Sequence, residues 1–310
     1  MKTVPDGVYP TMVTPFTQDL QVDYGALPPL LRWYEDRGVA GVFAICQSSE
    51  IFYLSFEERL RILKEIMRAK SPGTVVLASG HTAYDPQTQI SEARAFIDEG
   101  IDAYVFISNR FAAKDEDDDT LLCRIAHVAG ALPDLPLGVY ECPYPYKRLL
   151  TPYVIERLGE IANFAFLKDT CCDLDQIEAK LEAARATGLK IFNANSAMLL
   201  ESLRMGCAGF SGIMANFHPQ LYGKLCACWR EEPELAERLQ AFVGMASLAE
   251  AQLYPVNAKY SIALDGVPVT RQCRVKDASL FRRCDEMQVE QLRALAVEIE
   301  ALATSRADTA

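Results

Sequence analysis

The chain has 310 residues, half of them hydrophobic and 24% charged, so it can bury a large core and is not disordered. Its 31 basic and 42 acidic residues give a net charge of −11, which argues against nucleic acid or an anionic membrane as the main partner. Residues 1–7 lack the apolar core of a signal peptide, and no apolar run reaches membrane-spanning length, so we predict a cytoplasmic protein.

From residue 7 to about residue 230, short apolar runs alternate with amphipathic segments. Eight runs are typical of buried strands: Val8–Thr14, Val39–Cys46, Thr74–Ser79, Ala103–Ser108, Leu137–Glu141, Phe164–Asp169, Lys190–Asn193 and Gly209–Met214. Helical patterns follow them near residues 24–37, 56–70, 86–99, 117–132, 151–161, 173–187, 196–205 and 218–230. Ser55 before the second helix and Gly206 after the seventh are typical start and stop signals.

Eight strand–helix units in succession predict an α/β fold, a (β/α)8 TIM barrel spanning residues 1–230. An open doubly wound sheet is the alternative, but the first strand is not followed by a glycine-rich dinucleotide motif. After about residue 231 the alternation stops, and Glu232–Leu253 and Val289–Thr304 are predicted helices, with a shorter one around Tyr254–Leu264. We therefore predict a C-terminal helical subdomain at residues 231–310 that packs on the barrel.

The ten cysteines and three histidines do not form a metal-binding motif. Cys171-Cys172 and Cys226-Ala-Cys228 lack the spacing of a zinc site, and His81, His127 and His218 are far apart in sequence. Without a secretory signal, the cysteines are expected to be reduced thiols. We predict no metal site.

The sixth predicted strand, Phe164–Asp169, carries a lysine close to its end. Strand alternation places Phe164, Phe166 and Lys168 on one face of this strand. Burial disfavours the ammonium form of a lysine and lowers its pKa, which frees a nucleophilic amine. The alternative is a lysine whose aliphatic stem packs along the strand while its ammonium group reaches solvent.

Tyr140 ends the fifth predicted strand, so it is expected to neighbour Lys168 at the C-terminal face, where TIM barrels place their chemistry. A phenol beside a lysine can transfer protons to and from a carbinolamine. The alternative is an aromatic residue at the rim with a solvated hydroxyl.

The loop after the second predicted strand contains Gln47, Ser48 and Ser49. Two hydroxyls and adjacent backbone N–H groups in a tight turn can bind a carboxylate, although a helix cap or an ordinary polar turn explains them too. Loop residues Arg110, Lys147 and Arg148 follow the fourth and fifth strands and either cover the site or lie in solvent.

Taken together, these residues resemble the dihydrodipicolinate synthase / N-acetylneuraminate lyase (DapA-like) family of class I Schiff-base aldolases. The resemblance rests on the following motifs: Gly7 with Thr14-Pro15-Phe16, Val22-Asp23, Ser48-Ser49-Glu50, Val139-Tyr140-Glu141-Cys142-Pro143, Leu167-Lys168-Asp169, Ala208–Asn216, Pro255–Lys259 and Leu264-Asp265-Gly266. The interval between Tyr140 and Lys168 is similar to that of the family, and the motifs cover nearly the whole chain.

The resemblance implies roles for these residues. Lys168 would form an imine with the 2-oxo group of pyruvate or a related acid, and Tyr140 would shuttle protons. Ser48 and Ser49, with their backbone amides, would hold the carboxylate, and the carbonyl of Ser211 would contact the bound intermediate. The protonated imine is the electron sink, so no cofactor is expected. The family also implies a homo-oligomer, either a dimer or a tetramer.

Three departures from the family pattern leave the reaction open. Gln47 stands where synthases have a relay hydroxyl, Phe111 where they have a relay tyrosine, and the arginine that binds the second substrate falls near Pro145, with Lys147 or Arg148 as replacements. We predict a lyase or aldolase of a 2-oxo acid. The alternatives are a true dihydrodipicolinate synthase, a 2-oxo-acid-binding barrel without turnover, and an unrelated barrel in which Lys168 forms a structural ion pair.

Overall fold

The structure, a computed structural model, describes residues 3–304 and contains eight short parallel strands. They are β1 Gly7–Val8, β2 Gly41–Ile45, β3 Val75–Ala78, β4 Ala103–Ile107, β5 Leu137–Tyr140, β6 Phe164–Asp169, β7 Lys190–Asn193 and β8 Gly209–Phe210. One helix follows each strand: α1 Leu27–Glu35, α2 Phe56–Ala69, α3 Pro86–Ile97, α4 Asp118–Ala129, α5 Pro152–Ile161, α6 Leu174–Ala184, α7 Leu199–Met205 and α8 Pro219–Cys228.

The sheet runs in the order β1-β8-β7-β6-β5-β4-β3-β2. Its two end strands approach each other, because Ala40 N donates to Val8 O (3.1 Å) and Phe43 N donates to Pro10 O (2.9 Å). A further bridge joins Thr11 to Phe43. The sheet is therefore a nearly closed (β/α)8 barrel, which confirms the predicted fold, and the open doubly wound sheet is wrong.

The first and last strands are much shorter than the predicted runs Val8–Thr14 and Gly209–Met214. Pro10 has no N–H group to donate to a ladder, so β1 stops before it. After β8 the chain turns into a 3-10 helix at Ile213–Asn216, where Asn216 Nδ2 donates to Thr11 O (2.9 Å). Backbone groups that a longer strand would pair are satisfied by side chains instead.

Aromatic rings fill the barrel interior. Phe166 of β6 stacks on Phe192 of β7, with ring centroids 4.7 Å apart, and meets Tyr9 and Phe43 edge-on at 5.9 and 6.1 Å. Phe164 instead contacts Phe106 of β4 after a register shift between β5 and β6. Phe166 precedes Lys168 by two residues on β6, so this apolar layer packs the barrel interior directly beneath Lys168.

The C-terminal part contains α9 (Pro233–Ala246), α10 (Val256–Leu264) and α11 (Arg283–Thr304), with a 3-10 turn at Ser247–Ala251. Helix α11 begins six residues before the predicted start at Val289, because the Asp285 carboxylate accepts a hydrogen bond from Arg282 N (2.9 Å) and caps it. Helices α8, α9 and α11 share a buried apolar cluster that includes Leu221, Leu225, Leu235, Leu239 and Ala296. The division of the chain at residue 230 stays a prediction.

No helix within residues 3–304 is both long enough and apolar enough to cross a membrane.

Candidate active site

Tyr140 and Lys168 lie side by side at the C-terminal ends of β5 and β6. The two residues are register partners in the parallel ladder, so their side chains leave the sheet on the same face. The Nζ atom of Lys168 lies 4.6 Å from the centre of the Tyr140 ring, over its face. The structure thus brings together the two residues that the sequence singled out.

Lys168 is 3% exposed, and its amine forms no hydrogen bond or ion pair with any of the residues 3–304. Burial lowers the pKa of Lys168 from 10.5 to about 8, against a smaller opposing influence from Cys46, Cys142 and Glu250. The amine therefore lies at the cavity and not at the outer surface, and it does not form the structural ion pair considered as an alternative. A substantial fraction is a neutral nucleophile near pH 8.

The Tyr140 hydroxyl donates to Gln47 Oε1 (3.2 Å), and the Cys142 thiol donates to the same oxygen (3.3 Å). Burial raises the pKa of Tyr140 well above its usual value of 10. Tyr140 is consequently a neutral phenol, held in place by an amide and by the edge of the Phe43 ring (5.9 Å between centroids).

Gln47, Ser48 and Ser49 form a 3-10 turn directly after β2. The Ser48 hydroxyl donates to Thr11 Oγ1 (3.0 Å) beside the cavity. The Ser49 hydroxyl, by contrast, donates to Met12 O (2.7 Å) and accepts from Cys46 N (3.1 Å). It holds the turn against the neighbouring strand and does not face the cavity.

Glu50, which ends this turn, has a left-handed backbone with φ of 61°. Its buried carboxylate accepts hydrogen bonds from Lys259 Nζ (2.7 Å), Arg274 N (2.5 Å) and Val275 N (3.1 Å). These bonds offset the cost of the backbone conformation and join the serine turn to the C-terminal part of the chain.

Ser211 is fully buried behind β8. Its hydroxyl donates to Tyr9 O (3.0 Å) and its N–H donates to Asn193 O (2.9 Å). The side chain therefore supports the strand and does not line the cavity, while the predicted contact of the Ser211 carbonyl stays a prediction.

The predicted loop residues separate into two groups. Lys147 lines the cavity, with its amine donating to Thr170 O (2.7 Å). Arg148 instead donates to Ala113 O (2.8 Å) and Glu116 O (2.7 Å) in the loop before α4, and Arg110 lies over the rings of Phe52 and Tyr84.

Phe111, the second departure from the family pattern, is buried against His81, with ring centroids 4.4 Å apart.

Behind the two candidate catalytic residues lies a buried ionic cluster of Glu141, Asp169 and Lys180. Lys180 Nζ of α6 lies 2.6 Å from Glu141 Oε1 and 2.5 Å from Asp169 Oδ2. Glu141 directly follows Tyr140, and Asp169 directly follows Lys168. The cluster therefore joins the ends of β5 and β6 and fixes the spacing of the two side chains above it.

The candidate catalytic residues open into a cavity of about 580 Å³. Its lining includes Gln47, Ser48, Tyr140, Lys147, Lys168, Thr170, Asn195, Ile213, Glu250, Tyr254 and Lys276. The volume lies in the range that holds a whole small-molecule ligand and exceeds what a three-carbon oxo acid needs. Across residues 3–304, no group of three or more His, Cys, Asp or Glu side chains is placed to hold a metal ion.

The sequence did not reveal three of the lining residues, Glu250, Tyr254 and Lys276, which come from the C-terminal part of the chain. Burial raises the pKa of Glu250 to about 7, and the charge of Lys168 opposes this rise. Glu250 lies within the predicted helical stretch Glu232–Leu253, where nothing in the pattern shows that it faces the barrel. The family motif Pro255–Lys259 was the nearest indication in the sequence that this part of the chain contributes to the site.

A comparison with known protein families agrees with this architecture. The sequence model of the dihydrodipicolinate synthetase family matches residues 4–288. The chain belongs to this family.

Two relatives illustrate its place among dihydrodipicolinate synthetase family proteins. An uncharacterized DapA-like lyase of Chloroflexus aurantiacus is 30% identical over 221 residues, 70% of this chain and 72% of that protein. A 4-hydroxy-tetrahydrodipicolinate synthase of Haloarcula marismortui is 24% identical over 270 residues, 87% of this chain and 84% of that protein. Membership of the dihydrodipicolinate synthetase family supports a pyruvate-dependent aldolase or lyase.

Solved structures of the family share the fold. One is the chloride-inhibited dihydrodipicolinate synthase from Acinetobacter baumannii complexed with pyruvate. It matches with a TM-score of 0.84 at 22% identity, and the match covers 95% of this chain and 99% of that chain. Another is a prophage protein of the dihydrodipicolinic acid synthase family from E. coli K12, also in complex with pyruvate. It has a TM-score of 0.84 at 20% identity, and the match covers 95% of this chain and 98% of that chain.

Proposed function

We propose that the protein is a class I aldolase or lyase that binds a 2-oxo acid as a Schiff base on Lys168. One observation carries the proposal: a buried amine without a hydrogen-bond partner in residues 3–304 stands over the ring of Tyr140 at the floor of an open cavity. A structural role leaves such an amine unexplained, because burial disfavours its ammonium form and no carboxylate within residues 3–304 pairs with it.

The steps follow from these two groups. The neutral amine of Lys168 attacks the C2 carbonyl of the oxo acid and gives a carbinolamine. The Tyr140 phenol donates a proton to the departing hydroxyl, water leaves, and a protonated imine remains. That imine withdraws electrons from C3, so a proton or a carbon substituent is lost there as an enamine forms.

The Ser48 hydroxyl is the best-placed group for the carboxylate of the oxo acid. It belongs to a turn that Glu50 fixes from behind, and it faces the cavity near Lys168. Lys147 and Lys276, two ammonium groups at the cavity, add positive charge that favours an anionic substrate in an otherwise acidic protein.

A second candidate function is a 2-oxo-acid-binding barrel without turnover. The observation in its favour is the contact of the Tyr140 hydroxyl with the amide oxygen of Gln47, because an amide does not pass a proton on. A true dihydrodipicolinate synthase is a third candidate, for which Lys147 would bind the carboxylate of the second substrate.

The test begins with trapping. The protein is incubated with pyruvate and sodium borohydride, and its intact mass is measured. We expect one reduced adduct per chain, and no adduct with pyruvate or any other short oxo acid would overturn the proposal. Cleavage of a panel of 2-keto-3-deoxy acids then separates the candidates, because trapping without turnover across the panel favours the binding protein.

We also propose a homo-oligomer, a dimer or a tetramer, from the family pattern alone. Light scattering after size exclusion tests it, and a monomer at micromolar concentration would contradict it.

A further inference from the structure

The contact between Tyr140 and Gln47 has a consequence for proton transfer. Both the Tyr140 hydroxyl and the Cys142 thiol donate to the one amide oxygen of Gln47. An amide has no titratable proton at neutral pH, so no proton leaves Tyr140 along this route. Burial also raises the pKa of Cys142 to about 11, so its thiol is not a base.

Glu250 lines the same cavity from the C-terminal part of the chain. It belongs to the 3-10 turn Ser247–Ala251, which is held by Asn257 Nδ2 donating to Ala249 O (2.7 Å) and by Gln252 N donating to the same oxygen (3.0 Å). The carboxyl group itself forms no hydrogen bond or ion pair with the described residues 3–304. The turn therefore holds the backbone of Glu250 at the cavity, and its carboxyl group is free to act on a ligand.

The other carboxyl group at the cavity is not free. Glu50 is bound by Lys259 Nζ at 2.7 Å and by two backbone N–H groups. Its lone pairs are occupied by donors that belong to the fold, so Glu50 cannot serve as a base without breaking that network. Glu250 is the remaining carboxylate in the lining.

The pKa of Glu250 lies near neutral pH. Lys168 on β6 is the charged group that acts on it, and burial raises its pKa to about 7 against that charge. Tyr222 of α8 and Tyr254 before α10 also lie close, but burial raises the pKa of both phenols far above 10. Lys147 and Lys276 are the other ammonium groups of the lining, and the structure places both in the exposed mouth.

We propose that Glu250 is a second acid/base catalytic residue, which removes a proton from C3 of the imine on Lys168 and returns it. The inference rests on the proposed Schiff base. The carboxylate takes the C3 proton, the electrons of that C–H bond form the C2–C3 double bond, and the electrons of the C–N double bond move to nitrogen. In the reverse step the Glu250 carboxyl gives the proton back to C3 and regenerates the imine.

Exchange of the methyl protons of pyruvate in heavy water isolates this step, because it needs no second substrate. Proton NMR follows the loss of the methyl signal with the wild type, Glu250→Gln, Glu250→Asp and the control Glu178→Gln, whose carboxyl lies exposed on α6. We expect exchange to fall about 100-fold in Glu250→Gln, the low end for a lost general base, and to return in part in Glu250→Asp. Glu178→Gln should match the wild type.

Borohydride trapping of the same variants separates the two proposals. Glu250→Gln should still give the full adduct with pyruvate, since Tyr140 serves imine formation. Exchange within threefold of the wild type would overturn the role of Glu250, as would loss of trapping together with exchange in a folded variant. A wild type that traps pyruvate but does not exchange its methyl protons would overturn it too. A wild type that does not trap would remove the proposed function, and the role of Glu250 with it.

Discussion

Replacing Lys180 by methionine tests how the barrel holds its candidate catalytic pair. The variant keeps the length and apolar stem of the side chain but removes the cation between Glu141 and Asp169. The side chains of these two acids are 0% exposed and that of Lys180 is 2% exposed. The charges left behind therefore have no access to water.

The loss can be estimated from the remaining partners. Without Lys180, Glu141 keeps Leu150 N (2.8 Å) and Thr170 N (2.9 Å), and Asp169 keeps Cys171 N (3.1 Å). Removing one partner of a buried ion pair costs about 3–5 kcal/mol, because a charge stays buried without compensation. We expect the free energy of unfolding of Lys180→Met to fall by about that amount at pH 8.

The pH dependence gives a second readout. Burial already raises the pKa of Glu141 to about 7, and loss of Lys180 removes a charge that lowers it. A carboxyl whose pKa is higher in the folded state than in the unfolded state favours folding at low pH and loses that contribution as pH rises through the folded value. The deficit of Lys180→Met should therefore be smaller at pH 5 than at pH 8.

Urea unfolding, followed by tryptophan fluorescence at both pH values, measures the deficit. Lys64→Met is the matched control, because Lys64 forms a surface pair with Glu99 (3.4 Å) that should contribute less than about 1 kcal/mol. A loss in Lys180→Met no larger than in the control, or a loss that grows as pH falls, would refute the reasoning.

Two further variants test the candidate catalytic pair itself. Tyr140→Phe should slow adduct formation with pyruvate about 100-fold, because it removes the proton donor while Phe43 still packs against the ring; an unchanged trapping rate by quenched-flow mass spectrometry would contradict this. Lys168→Met should abolish the adduct yet raise the free energy of unfolding at pH 7 by roughly 3 kcal/mol, since burial lowers the pKa of this amine from 10.5 to about 8. A folded pKa below the unfolded one destabilises at low pH, so thermal unfolding should show this gain shrinking as pH rises from 8 to above 10.5.

The barrel and its candidate catalytic pair could be predicted because their signals are local. Each βα unit carries its own apolar run and helix pattern, and parallel pairing fixes which strand ends are neighbours. Tyr140 is the last residue of β5 and Lys168 the last but one of β6, so their contact followed from the fold. The ends of β1 and β8 were overestimated, because apolar residues continue beyond the last ladder hydrogen bond.

Other parts of the site depend on tertiary contacts that no local pattern encodes. Ser48 and Ser49 look alike in sequence, yet one hydroxyl lies beside the cavity and the other bonds Met12 O. Arg148 looked like Lys147, but its guanidinium holds the loop before α4. Glu250 joins the site only because the tail folds back over the barrel.

The central claim is that Lys168 carries the oxo acid, and peptide mapping of the borohydride-trapped protein tests it most directly. Lys147 and Lys276 line the same cavity, so each serves as an internal control for a reactive lysine. We predict that the adduct with pyruvate falls on the peptide containing Lys168, persists in Lys147→Met and Lys276→Met, and disappears in Lys168→Met. An adduct on another lysine, or one that survives in Lys168→Met, would contradict the account.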